Sequence, residues 1–66
     1  MKAEVVTCQE GRVIVSRIAL IGDRSVCLEL HRGEQGKVTV NVAHMILTAD
    51  EAREVSRALA EIAGAG

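Results

Sequence analysis

The hydrophobic pattern of this chain changes its period once, at Thr48, and that change limits the fold to strands followed by one helix. Before it, Val38, Val40 and Val42 alternate with other residues, as in a strand with one apolar face. After it, apolar residues recur at spacings of three and four, at Ala52, Val55, Leu59 and Ile62. Side chains at these spacings lie along one stripe of a helix, so we expect the stripe to pack on the sheet.

The start of the helix is marked by polar side chains. The hydroxyl of Thr48 can accept a free backbone N–H, and Glu51, three residues on, completes a capping box. Asp50 and Glu51 also suit the positive end of the helix dipole. Glycine commonly follows the last helical residue, so the sequence predicts a helix that ends at Gly64.

Four segments before the helix have strand composition, and glycine-containing turns separate them. The predicted strands are Lys2 to Cys8, Arg12 to Ile21, Ser25 to Arg32 and Lys37 to Leu47. The turn from Gln9 to Gly11 suits a three-residue loop, which would place Val6 opposite Ile14. Short connections favour pairing in sequence order. We therefore expect one α+β domain over residues 1–66, a four-stranded antiparallel β-meander followed by one C-terminal helix packed on the sheet.

The second predicted strand is apolar on both faces, and one helix can cover only one of them. The chain has 66 residues and no aromatic side chain, so its core is small and aliphatic. A second copy could cover the other face, and the sequence favours a homodimer with Ile14, Ile18 and Leu20 at its interface. A one-residue bulge would exchange the two faces, so which set lies under the helix stays open at this point.

The residues that could carry chemistry are few and badly spaced. Cys8, Cys27, His31 and His44 have metal-ligand side chains, but no pair has a zinc-ligand spacing. The sequence shows no nucleophile motif and no phosphate-binding loop. We therefore expect no metal, no cofactor, no catalytic residue and no enzymatic activity. No apolar run approaches a membrane span or a signal peptide, which predicts a cytoplasmic protein with no membrane partner and with reduced thiols.

A nucleic-acid role is the alternative. Four basic side chains on or beside the strands could contact phosphates: Arg12, Arg17, Arg32 and Lys37. The net charge of −1 and the absence of aromatic side chains do not favour such binding. The charge balance favours the simpler interpretation, in which these side chains lie in solvent at the rim of the sheet.

One family resemblance bears on this alternative. The runs Val13-Ile14-Val15-Ser16-Arg17 and Leu20-Ile21-Gly22-Asp23, followed by Val38-x-Val40-Asn41-Val42 and a terminal helix, resemble the carbon storage regulator family. The resemblance implies a small dimeric RNA-binding repressor of intertwined strands. The chain departs from that family at Ile18, where a second arginine would follow Arg17, and at Ala49-Asp50, which replace a basic residue.

The interpretation that the sequence favours is a small non-enzymatic binding or regulatory module. It would act through protein–protein contact as a homodimer, in the manner of a phage- or plasmid-type inhibitor of a host system. The alternative is a nucleic-acid-binding regulator of RNA or DNA that uses arginines on the sheet.

Overall fold

The computed structural model describes residues 2–34 and 36–65, apart from the side chains of Leu20 and Ala65, and has an α+β fold. Four antiparallel strands form one sheet in sequence order. They are β1 (Ala3–Cys8), β2 (Gly11–Ile21), β3 (Arg24–Arg32) and β4 (Val40–Thr48), and helix α1 (Ala49–Ala65) follows directly. The predicted meander with a C-terminal helix packed on the sheet is confirmed.

The first hairpin differs from the prediction by one residue. Its loop contains Gln9 and Glu10 alone, and not three residues. Val5 and not Val6 therefore lies opposite Ile14. Because side chains alternate across a strand, this shift reverses the predicted facing of β1 relative to β2.

Gly11 explains the shift, because it belongs to the sheet and not to the loop. It pairs with Cys8 on β1 and with Arg32 on β3. Its φ is 153°, and a Cβ at this position would overlap the carbonyl oxygen of His31. Glycine is thus needed for the close approach of two backbones.

The second hairpin has the predicted two-residue turn, in which Gly22 has a φ of 64°. Ile21 pairs with Arg24 across this turn. The next regular pair joins Arg17 to Val26, so β2 contains two more residues than β3 over this stretch. An even insertion leaves the side chains beyond it on their original faces.

The register defines two faces of the sheet. The helix face carries α1 and the aliphatic side chains of Val6, Val13, Val15, Val26, Leu28 and Leu47. The open face, on the opposite side, carries Val5, Ile14, Cys27 and Ile46. The structure therefore answers the question that the sequence left open, because the valine-rich set of β2 lies on the side of the helix.

The helix begins as predicted. The backbone N–H of Glu51 donates to the Thr48 hydroxyl at 3.0 Å, and the backbone N–H of Thr48 donates to the Glu51 carboxylate at 3.0 Å. Arg24 joins this capping box to the sheet, donating to Glu51 at 2.8 Å and to the carbonyl oxygen of Ile46 at 3.2 Å.

Several boundaries differ from the prediction, most of them by one residue. Helix α1 continues through Gly64 to Ala65, because a glycine adopts helical backbone angles when it is not needed as a left-handed cap. Strand β4 begins at Val40 and not at Lys37, and Val38 lies outside it with an exposed side chain.

The core is thin. Among the described hydrophobic side chains, Cys27 and Leu47 alone are buried. The chain exposes 5293 Å². A compact monomer of 7.0 kDa exposes roughly 4,000 Å², so this chain exposes roughly 1,300 Å² more. The radius of gyration of 12.9 Å likewise exceeds the roughly 11 Å of a compact chain of this length.

Candidate interaction surface

Helix α1 diverges from the sheet along its length. Its apolar stripe begins with Ala52, which is half-buried. The exposed fraction then rises to 39% at Val55, 67% at Leu59 and 76% at Ile62. The predicted apolar stripe is present, but its C-terminal half makes little contact with the sheet.

A wedge-shaped apolar groove results between α1 and the sheet. Its volume is about 620 Å³. The sheet lines it with aliphatic side chains from all four strands, and the helix lines it with Ala52, Val55, Ser56 and Leu59. Glu4 is the one charged residue among the described residues that line this groove. Such a surface can bind apolar groups and offers few polar ones to position a small molecule.

The connection between β4 and α1 explains why the groove is open. No residue separates the strand from the helix, so α1 must begin beside β4. Among the described elements, β4 and β3 are the two that the backbone of α1 approaches closely. Strands are spaced by about 4.8 Å and a helix is about 10 Å wide, so one helix beside β4 leaves β1 and much of β2 uncovered. Val6 on β1 is accordingly 56% exposed.

The predicted interface residues lie elsewhere. Ile14 is half-buried on the open face, and Ile18 is half-buried in the irregular stretch of β2. The side chain of Leu20 lies outside the described part of the chain. The involvement of these three residues in an interface stays a prediction.

The open face beside Ile14 is already occupied by a polar network around Glu29. His31 Nε2 lies 2.8 Å from Glu29 Oε1, and the Asn41 amide donates to the same oxygen at 3.1 Å. The Cys27 thiol donates to the other Glu29 oxygen at 3.9 Å. Covering this face would remove water from a carboxylate, which costs free energy unless every oxygen keeps a partner.

The two thiols have different surroundings. Burial raises the pKa of the Cys27 thiol, and the negative charge of Glu29 raises it further. A raised pKa disfavours the thiolate, which is the nucleophile and the metal ligand. Cys8 is exposed and lines the groove. Within the part of the chain that the structure describes, no three His, Cys, Asp or Glu side chains form a metal-binding group.

The four basic residues are not gathered on one strip. Arg12 donates to the Thr39 hydroxyl at 2.8 Å on the open face, and Arg17 lies opposite Val26 on the helix face. Five residues along a strand separate these two arginines by about 16 Å. Lys37 lies 3.3 Å from Glu34 at the end of the sheet where Arg12 lies.

The fourth of these residues is also paired. Arg32, at the end of β3, lies 3.6 Å from the Glu10 carboxylate. Three of the four side chains therefore have a hydroxyl or carboxylate partner within the protomer. Phosphate contacts by the four stay a prediction.

The groove itself did not follow from the sequence. The helical stripe was visible, but its divergence from the sheet depends on the exit angle of α1 from β4. The one available signal was the length of the stripe, which spans Ala52 to Ile62, about 15 Å of helix.

Comparison with known proteins adds no assignment, since no family model, curated protein or solved structure matches the chain. None of the described helices has the length and apolar character needed to cross a membrane.

Proposed function

We propose that this chain is a small non-enzymatic binding and regulatory module that acts through protein–protein contact as a homodimer. The observation that carries the proposal is the groove, an apolar surface on a protomer that exposes roughly 1,300 Å² more than a compact monomer does. Monomeric proteins rarely expose apolar patches beyond a few hundred Å², and larger patches mark interaction sites.

The side chains that could perform chemistry support a non-enzymatic role. The raised pKa of Cys27 disfavours the thiolate that nucleophilic catalysis needs. Glu29 is held by His31 and Asn41 on the open face of the sheet. These contacts order the open face of the sheet.

Two measurements test the proposal. Light scattering of the purified chain at micromolar concentration should give twice the protomer mass of 7.0 kDa. The chain, used as bait in an extract of its native host, should retain a protein whose affinity changes little between about 50 and 200 mM salt.

The nucleic-acid alternative predicts a different result in the same experiment. The bait would retain RNA or DNA, and the affinity would fall steeply with salt because each phosphate contact releases counterions. Arg12→Ala would then weaken binding and flatten the salt dependence. That outcome would replace the protein-binding proposal.

A further inference from the structure

We infer that two copies of this chain dock through their grooves, so that the C-terminal half of α1 in each protomer covers β1 and β2 of the other. This inference rests on the proposed homodimer and specifies its surface. It also moves the interface from the predicted residues of β2 to the helix face.

The first argument is complementarity within one surface. A two-fold dimer brings the same patch of both protomers together, so the patch must contain both contacting shapes. The patch does, because Leu59 lines the groove and Ile62 continues the same exposed helical stripe beyond it, while Val6 is exposed and Val13 half-buried on the strand side. The helical stripe of each copy can therefore lie on the strand surface of the other.

The second argument is area. The excess of roughly 1,300 Å² belongs to the whole chain; if two copies buried all of it between them, the dimer would bury roughly 2,600 Å² in total, an upper value within the range of obligate homodimers. The thin core also favours a partner that is present whenever the chain is made, and a second copy is always present. The net charge of −1 adds little repulsion between copies.

The third argument is the contrast between the two faces. The open face would bring the Glu29 network into the interface and remove its water. The groove has one charged lining residue, Glu4. Docking through the groove therefore buries aliphatic surface and leaves the Glu29 network in water, with Glu4 in the groove and Arg17 at the end of the same face as the nearby charges.

Val5 and Val6 provide a matched test on the sheet. They are neighbours on β1, they are 54% and 56% exposed, and they lie on opposite faces. Val6→Glu should abolish the dimer in sedimentation equilibrium, either as a folded monomer or as an unfolded chain. Val5→Glu should remain a folded dimer at the same concentration, as judged by circular dichroism.

A second pair tests the helix. Ile62 lies on the apolar stripe, whereas Ala60 lies on a different side of α1 and is also exposed. Ile62→Glu should abolish the dimer, and Ala60→Glu should not. Because both side chains are largely exposed in the protomer, neither change should unfold a monomer.

The outcomes separate this inference from the proposed function. A dimer that survives Val6→Glu, or that is lost in Val5→Glu alone, would overturn the groove as the interface and leave the homodimer intact. A wild-type chain that is monomeric at every concentration would overturn both the inference and the homodimer, and would leave the groove open to a different protein.

One further pair applies if both glutamate variants of β1 fail to fold. Val6→Thr should then raise the dimer dissociation constant at least about tenfold, because each dimer buries two hydroxyls without partners. Val5→Thr should leave the constant within about threefold. Equal effects of the two threonine variants would contradict the inference.

Discussion

Replacing Thr48 by alanine tests how the helix is attached to the sheet. The change removes the hydroxyl that accepts the backbone N–H of Glu51 at 3.0 Å. Loss of such a cap costs about 1 kcal/mol, within a range of about 0.5–2. In a chain of 66 residues, the unfolding entropy is such that a loss of about 1 kcal/mol lowers the melting temperature by about 4–8 °C.

The matched control is Thr48→Ser, which keeps the hydroxyl and should change the unfolding free energy by less than about 0.5 kcal/mol. Urea and thermal unfolding followed by circular dichroism, at one fixed protein concentration, would measure both variants. If the alanine and serine variants unfold at the same midpoint, the hydrogen bond does not stabilise the helix start and the reasoning is wrong.

Three further predictions concern single side chains. Gly11→Ala should destabilise the chain by about 1–3 kcal/mol in urea unfolding, because the φ of 153° and the close approach of β3 exclude a Cβ. Alkylation at pH 8 of the Ile62→Glu variant, which should be monomeric and leave the groove uncovered, should modify exposed Cys8 well before buried Cys27, whose pKa is raised by burial; equal rates in mass spectrometry would contradict this ordering. The backbone N–H of Thr48 lowers the pKa of Glu51, so the stability that this charge contributes is present above the ordinary value of 4.5 and is lost as pH falls through the lower folded value. The Glu51→Gln variant has no such charge, so its unfolding free energy should fall less than that of the wild type as pH is lowered, as measured by acid unfolding.

Local sequence signals predicted the parts of the fold that local contacts determine. The capping box at Thr48 and Glu51 and the two-residue turn at Gly22 appear as expected, since each is completed within four residues. The strand order also follows from short connections. These features depend on neighbouring residues, which a sequence displays directly.

Features that depend on distant residues were predicted less well. The sequence predicts Gly11 in a loop, since the contact that requires glycine there comes from the backbone of β3, about twenty residues away in sequence. The insertion between Arg17 and Ile21 leaves no composition signal, and the sequence does not show that its even length keeps the residues beyond it on their original faces. The angle between α1 and the sheet, which creates the groove, depends on how α1 leaves β4 and packs on β3 and β4.

The sequential order of the strands also has a consequence for the folding rate. Every strand pairs with its neighbour in sequence, and α1 packs on the two strands that precede it. Chains whose contacts are local in sequence fold fast, because little loop entropy is lost before each contact forms. The side-chain hydrogen bonds of greatest sequence separation among those described, Arg12 to Thr39 and Arg24 to Glu51, each span 27 residues. Stopped-flow refolding should therefore be complete within milliseconds for the protomer, and any slower, concentration-dependent phase would report the association of two copies.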